Sequence, residues 1–206
     1  MMSTNDNNSP SDELPTLLTD IRACRLCAGH LPQPPRPVVH ASSAARILII
    51  GQAPGIKAHD SATPWNDASG DKLRSWLAVS RAQFYSPVFA HLPMALCFPG
   101  YKNGADAPPP KICAPTWHAK VINLLEPALI LHIGRYSQQY YLPEYRTLTD
   151  AVKATTAAPN RRYVLPHPSG RNNRWQARNP WFETHALALI KQSVQLALAA
   201  DAPPHV

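Results

Sequence analysis

The sequence predicts an α/β fold with a mostly parallel sheet. Two short stretches are dominated by consecutive apolar residues and end at a glycine: residues 46–50 (RILII) precede Gly51, and residues 128–133 (ALILHI) precede Gly134. Strands that are buried on both faces show such runs instead of an alternating pattern. Segments with helical spacing of apolar residues separate the candidate strands, and strands that alternate with helices are typical of α/β folds.

The remaining elements follow from the same patterns. Strands are expected at residues 46–50, 91–97, 128–133 and 162–165, and helices at residues 13–24, 71–79, 115–125, 135–141 and 181–199. Residues 52–69 and 166–179 follow strands and lack periodicity, and we interpret them as long functional loops; residues 98–110 are interpreted as a further loop. Because ligands bind at the carboxyl ends of parallel strands, the two long loops are expected to meet there.

Length and charge bound the organisation of the chain. The 206 residues fit one domain at residues 13–200, with a disordered polar N-terminus at residues 1–12 and a tail at residues 201–206. No apolar run is long enough to span a bilayer or to form a signal peptide, so we expect a cytoplasmic protein. The net charge of +7 favours an acidic partner such as nucleic acid, although a merely basic protein has the same charge.

Cysteine usage points to a metal site. Cys24 and Cys27 form a CxxC pair, and fifteen residues separate Cys97 from Cys113. In a reducing compartment, such cysteines are metal ligands or free thiols more often than disulfides. An all-thiolate set selects zinc or an iron–sulfur cluster, and the spacing does not choose between them. The alternative is four unrelated buried cysteines that act as small apolar residues.

The first long loop carries candidate binding and catalytic residues. The segment Gly51-Gln-Ala-Pro-Gly55 predicts a tight turn that brings backbone N–H groups towards a ligand. Trp65 is a candidate for stacking on a base. Asp67 and Asp60 are candidates for orienting a water that attacks a sugar C1′ with oxocarbenium character. Either aspartate has a simpler interpretation as a helix N-cap or a solvated loop acid.

The second long loop is rigid and basic. His167 lies between two prolines, and a rigid imidazole at a strand end can donate a hydrogen bond to a leaving group. Polar and basic side chains surround it in the sequence: Arg161, Arg162, Arg171, Asn172, Asn173, Arg174, Trp175 and Arg178. Such side chains contact phosphates in nucleic-acid complexes. An ordinary solvated basic loop is the alternative interpretation.

Together, these segments resemble the iron–sulfur uracil-DNA glycosylases of families 4 and 5. The two cysteine pairs are similar to the pairs of those families, and the stretch GQAPGIKAHDSATPWNDASGDKL resembles their GxAPG-like first motif and its proline–aromatic step. The segment HPSGRN resembles the late HPSxxN motif. That segment and Asp67-Ala-Ser-Gly-Asp71 are closer to family 5. The resemblance spans Cys24 to Asn173.

The resemblance implies a fold, a cofactor and an activity. The fold is a three-layer αβα sandwich with a four-stranded mostly parallel sheet, and the four cysteines hold a structural [4Fe-4S] cluster. The activity is DNA repair by a monomeric hydrolase, which flips out uracil or another deaminated base and hydrolyses its N-glycosidic bond. Asp67 positions the water, Trp65 stacks on the flipped base, and His167 stabilises the departing base. By the same resemblance, the base pocket includes Gly51, Gln52, Ala53 and Gly55, and the DNA contacts include Ser169, Arg171, Asn172 and Arg174.

Two positions depart from family 4. Gln52 stands where that family has a glutamate, and Pro93 stands where it has a uracil-reading asparagine. A proline side chain offers no polar group to a base edge, so strict uracil specificity by that route is not expected. Two alternatives therefore stay open: a non-catalytic protein of this fold that binds nucleic acid, and a zinc-stabilised α/β protein of unrelated function.

Overall fold

The computed structural model describes residues 10–200. Its strands are β1 (Ile47–Ile50), β2 (Phe89–His91), β3 (Tyr101–Lys102), β4 (Ala105–Asp106), β5 (Leu129–Ile133) and β6 (Arg162–Leu165). Four of them form one parallel sheet in the order β2-β1-β5-β6. The other two, β3 and β4, pair antiparallel as a separate short hairpin.

Helices connect the strands. They are α1 (Pro10–Ala23), α2 (Ile56–Ser61), α3 (Ala68–Leu77), α4 (Arg81–Phe84), α5 (Ala119–Leu125), α6 (Arg135–Tyr141), α7 (Leu148–Thr155), α8 (Asn173–Arg178) and α9 (Leu187–Ala199). Short π-helical turns precede α5 and α9, at Ala114–His118 and Phe182–Ala186, and a 3-10 turn at Gly170–Asn172 precedes α8. In the described part of the chain, no helix combines the length and the apolar character needed to cross a membrane.

The sheet is buried on both faces. Ile47 and Ile49 pack into an apolar cluster with residues of α3, α7 and α9, whereas Leu48 and Ile50 pack into a second cluster with residues of α1 and α5. Successive strand residues point to opposite faces, so full burial of all four explains the continuous apolar run. The predicted αβα arrangement around a four-stranded sheet is confirmed, and the sheet is parallel throughout.

The second predicted strand, at residues 91–97, is wrong. The observed strand β2 ends at His91, and Pro93 has no N–H with which to continue a ladder. Beyond it, Met94 and Ala95 donate their N–H groups to the carbonyls of Gly51 and Gln52. The apolar character of this segment reflects burial against the second cluster rather than a strand.

Both long loops contain helices that the sequence did not reveal. The first includes α2 and the start of α3, the second includes α8, and α7 was not predicted. The N-cap of α2 is Gly55, which has no capping side chain, so no local signal marks that start. At the N-terminus, residues 10–12 of the predicted disordered segment form the first turn of α1. Residues 1–9 and the predicted tail at residues 201–206 lie outside the described residues.

Trp65 fixes the first long loop against the sheet. It adopts a left-handed backbone conformation with φ of 57°, which a non-glycine residue keeps only when its surroundings enforce it. Its carbonyl accepts hydrogen bonds from Arg74 Nη1 at 3.4 Å and Tyr85 Oη at 3.3 Å. A Cβ on Gly51 would lie 2.6 Å from the Trp65 ring, and a Cβ on Gly70 would lie 1.8 Å from its carbonyl oxygen. Only glycine therefore leaves room for Trp65 on both sides.

Gly70→Ala should lower the free energy of unfolding by about 3 kcal/mol, because the new methyl group overlaps a backbone carbonyl that no rotamer change can move. Gly29→Ala is the matched control, since a Cβ at Gly29 meets nothing within 4 Å. That variant should stay within about 0.5 kcal/mol of the wild type. Urea unfolding of both proteins measures the difference, and equal loss in the two variants would contradict the proposed packing constraint.

Three histidines, His91, His118 and His132, are almost completely buried inside the fold. His91 Nε2 donates to the Phe84 carbonyl at 2.9 Å, and His118 Nε2 donates to the Pro93 carbonyl at 3.1 Å. Burial lowers the pKa of His91 and His132 to about 3 and the pKa of His118 to about 4. All three rings are therefore neutral in the folded protein across the physiological pH range.

Acid should destabilise the fold before most carboxylates titrate. In the unfolded chain these histidines bind protons near their ordinary pKa of about 6.5, so unfolding takes up protons and stability falls as pH decreases. These three groups together contribute a slope of about 4 kcal/mol per pH unit between about pH 6 and 5, and His40 and His167, whose pKa values burial also lowers, add to it. Urea unfolding at several pH values measures this slope.

Two variants test whether the buried histidines cause this pH dependence of stability. His91→Gln should reduce it by about 1.4 kcal/mol per pH unit, whatever its effect on absolute stability. His185→Gln, at an exposed histidine, should leave the slope unchanged. A wild-type stability that is constant from pH 7 to pH 5 would show that the buried rings do not control acid unfolding.

Candidate active site

A cavity of about 450 Å³ opens at the carboxyl ends of the parallel strands. Both long loops line it, together with Pro93 after β2, the hairpin β3–β4, and Tyr136 at the start of α6. Its volume lies in the range of small-ligand pockets. The predicted meeting of the two long loops at this edge of the sheet is confirmed.

Trp65 and His167 bring the two loops into contact. Their ring centroids lie 5.6 Å apart, with an angle of 33° between the planes. Gly134, which follows β5 with φ of 86°, makes room for the histidine, since a Cβ there would lie 3.3 Å from the His167 Cβ. Asn172 Nδ2 donates to the His167 carbonyl at 2.9 Å and closes the second loop around the ring. The imidazole therefore has a defined position in the cavity wall.

His167 is a neutral imidazole that can donate a hydrogen bond from Nε2. Its Nδ1 accepts from the backbone N–H of Ser169 at 3.3 Å, so the proton of the neutral ring lies on Nε2. Burial lowers the pKa of His167 below its usual range, and the nearby Asp67 offsets part of that shift. Within residues 10–200, Nε2 makes no hydrogen bond to the protein, which leaves its N–H free for a ligand.

Asp67 is both a helix N-cap and a residue of the cavity wall. It is the N-cap of α3, where Oδ1 accepts from the Gly70 N–H at 2.8 Å, and it also lines the cavity. Its other carboxylate oxygen has no hydrogen-bond partner among the described residues. Asp60, the second candidate for orienting water, is exposed on α2 and does not line the cavity. The geometry thus leaves Asp67 as the candidate from the first loop.

The first-loop residues predicted for the base pocket all line the cavity: Gly51, Gln52, Ala53, Gly55 and Trp65. Gln52 Nε2 donates to the Ala107 carbonyl at 3.2 Å, so this side chain links the turn after β1 to the segment after β4. The turn and the hairpin therefore form one continuous wall.

The basic residues divide between two ends of the sheet. Ser169, Arg171 and Asn172 line the cavity, and Arg174 is exposed on α8 beside it. The prediction that Arg161 and Arg162 lie around the His167 loop is wrong. They lie at the amino end of the sheet, next to and at the start of β6, because the strand itself separates them from the loop that follows it.

Asp106 is a cavity residue that the sequence patterns missed. It belongs to β4, in a segment that we had interpreted as a plain loop, and it lines the cavity with Asp67. Burial raises its pKa, Asp67 raises it further, and Arg171 opposes the shift. No sequence pattern around Asp106 predicts its position, because the hairpin alone brings it to the cavity. Tyr136 and Ser69 were likewise not predicted.

The four cysteines line a second, apolar cavity. Cys24 and Cys27 follow α1, and Cys97 and Cys113 lie before and after the hairpin. Burial raises the pKa of the Cys97 thiol to about 12, and the other three cysteines contribute to that rise. Among residues 10–200, no set of three or more cysteine, histidine, aspartate or glutamate side chains is arranged to hold a metal ion. The thiols are thus neighbours without the arrangement of a single-ion site.

The comparison with known families agrees with this architecture. Residues 39–191 match the family model described as the uracil DNA glycosylase superfamily. The match covers well over half of the 206-residue chain and includes the whole parallel sheet and both loops of the cavity. The chain therefore belongs to the uracil DNA glycosylase superfamily.

Proposed function

We propose that this protein is a DNA-repair glycosylase that hydrolyses the N-glycosidic bond of uracil or another deaminated base. The observation that carries the proposal is the convergence of Trp65, Asp67 and His167 in one cavity at the carboxyl ends of the strands. A base inside a duplex cannot reach such a cavity, so the nucleotide is flipped out of the stack before reaction. Membership of the superfamily supports the same chemistry.

His167 serves the departing base. When the C1′–N bond breaks, its electron pair passes to the base, and negative charge develops on a base oxygen. A neutral imidazole that donates its Nε2–H stabilises that charge. The bond from the Ser169 N–H and the lowered pKa of His167 both favour this tautomer and this charge state.

Asp67 serves the sugar. Its uncapped oxygen accepts a hydrogen bond from a water, and its negative charge stabilises the oxocarbenium character at C1′. The water oxygen then bonds to C1′, and the proton it loses passes through the carboxylate and finally to the released base. The products are a free base and a DNA strand with an abasic sugar.

The DNA strand is held by charge around the cavity mouth. Arg171 and Arg174, with Ser169 and Asn172, are proposed to contact phosphates beside the flipped nucleotide. The net charge of +7 favours the same polyanionic partner. Trp65 presents an aromatic surface in the cavity wall for the flipped base. We further propose that the protein acts as a monomer in the cytoplasm.

One observation favours a second candidate, a non-catalytic nucleic-acid-binding protein. The Asp67 carboxylate already has a structural task as the N-cap of α3, and that task alone would account for an aspartate at this position. The two candidates differ in whether the negative charge on Asp67 is needed. Catalysis requires the charge, whereas capping requires only an acceptor oxygen.

Asp67→Asn separates these candidates, because asparagine caps a helix about as well as aspartate but carries no charge. If the protein is an enzyme, the variant should release uracil from single-stranded oligonucleotides about 10²–10⁴-fold more slowly than the wild type. Its unfolding midpoint should stay close to the wild-type value. Asp60→Asn makes the same change of charge outside the cavity and should keep full activity. Wild-type protein that binds the strand but releases no base would favour the non-catalytic candidate.

We also propose that Cys24, Cys27, Cys97 and Cys113 hold a [4Fe-4S] cluster. All four cysteines line one apolar pocket, and four soft thiolates are the donor set that such a group takes. A single zinc ion would require all four sulfurs about 2.3 Å from one centre. A cluster would distribute its four thiolates over several iron atoms. When bound, the group would link the end of α1 to both ends of the hairpin segment.

Anaerobically purified protein should contain about four iron atoms per chain and show the broad visible absorbance of thiolate-bound iron. Cys97→Ser should lose iron and unfold at a lower temperature, since cluster binding is coupled to folding. Asp67→Asn should keep its full iron content, which separates the two sites. A colourless wild-type protein that contains zinc would refute the cluster.

A further inference from the structure

The hairpin β3–β4 is tied to both walls of the cavity on either side of Asp106. Arg171 Nη2 donates to the Gly104 carbonyl at 2.6 Å, and Gln52 Nε2 donates to the Ala107 carbonyl at 3.2 Å. These anchors lie two residues before and one residue after Asp106 in the chain. The position of this aspartate over the cavity is therefore set by contacts with both catalytic loops.

The Asp106 carboxylate lies over the turn after β1. Apart from Gly55 and its two chain neighbours, Oδ2 of Asp106 is the only heavy atom of the described residues within 4 Å of the position that a Cβ on Gly55 would occupy, at 3.6 Å. Gly55 has no side chain, so the carboxylate occupies the space beside the turn. Within residues 10–200, it accepts no hydrogen bond, and the one ion pair in that range joins Arg74 to Asp71. The charge is not neutralised by a direct protein partner.

The Asp106 side chain lines the cavity while staying exposed to water, without a protein partner among residues 10–200. Partial burial raises the pKa of Asp106, and the second carboxylate, Asp67, raises it further. Like charges in one partly buried site oppose folding, and they also repel the phosphates of a nucleic-acid ligand. A ligand that supplies a hydrogen-bond donor would offset this cost, because an ionised carboxylate can only accept.

The groups beside Asp106 include a second acceptor. One hydrogen of the Gln52 NH₂ group is donated to the Ala107 carbonyl, and the Gln52 amide oxygen makes no hydrogen bond among the described residues. Pro93 has no polar side chain, and its carbonyl accepts from His118 Nε2 at 3.1 Å. This side of the cavity therefore matches a base that presents an N–H group.

We propose that Asp106 determines specificity by accepting a hydrogen bond from the imide N–H of the flipped base. Deamination creates this donor: N3 of cytosine and N1 of adenine are acceptors, whereas uracil N3 and hypoxanthine N1 carry hydrogen. An acceptor at this point therefore distinguishes both deaminated bases from their parent bases, and a site left with an unpaired polar group rejects the wrong ligand strongly. The inference rests on the proposed glycosylase activity.

A substrate that carries a methyl group in place of this hydrogen provides the test. Single-stranded oligonucleotides containing either uracil or N3-methyluracil are compared in single-turnover release assays with the wild type and Asp106→Ala. The wild type should release uracil at least about tenfold faster than N3-methyluracil, because methylation removes a hydrogen bond to a charged group. In Asp106→Ala, uracil release should fall by about tenfold or more, and the preference for uracil over N3-methyluracil should disappear.

Controls separate this role from others. Glu144→Gln makes the same change of charge at an exposed position outside the cavity and should keep the wild-type preference. An unchanged unfolding midpoint of Asp106→Ala shows that the hairpin is intact.

Each other outcome would contradict either the role of Asp106 or the proposed glycosylase activity. An equal loss on both substrates, with the preference preserved, would place the action of Asp106 on the sugar and overturn the base-reading role. Wild-type activity with an unchanged preference in Asp106→Ala would overturn that role as well, while leaving the glycosylase proposal standing. Wild-type protein that releases neither base would overturn the proposed function itself and, with it, the role of Asp106.

Discussion

The packing of Trp65 between two glycines is the constraint on which the cavity depends. The indole ring lies against Gly51 at the end of β1, and the backbone carbonyl lies against Gly70 in the first turn of α3. Trp65 is held in a left-handed conformation, so the chain must reverse sharply before it reaches Asp67. The same ring contacts His167 from the other loop. A single residue thereby sets the positions of Asp67 and His167, the two residues that we propose as catalytic.

The hairpin β3–β4 couples the two cavities of the molecule. The segment that contains it begins after Cys97 and ends before Cys113. Arg171 bonds to Gly104 at the hairpin tip, and Gln52 bonds to Ala107 just after β4. A structural cluster at the cysteines would fix the flanking segments of the hairpin, and Arg171 fixes its tip. The proposed cluster would therefore act on the larger cavity mechanically, because the backbone on either side of Asp106 connects the two. No electron transfer is involved in that connection.

Asp67 shows how one side chain could serve a structural and a proposed chemical role. One carboxylate oxygen satisfies an N–H of the first helical turn, which would otherwise lack a partner, and the other has no hydrogen-bond partner among the described residues. The cap restrains the rotation of the carboxylate, so the free oxygen has a defined direction. Capping and water orientation are thus compatible, and the helix start supplies the rigidity that a catalytic acid on a loop would lack.

The sequence by itself determined the parallel sheet, the two active-site loops and most of their functional candidates. Fully buried strands such as β1 and β5 require continuous apolar runs, and glycine–proline turns with a histidine between prolines are local signals. Only the tertiary structure decided which residues meet. Asp106 reaches the cavity through a hairpin with no local signature, and Arg161 lies at the opposite end of the sheet from the loop that it nearly adjoins in sequence. The reason is that burial and proximity depend on partners far along the chain, which no local pattern of residues encodes.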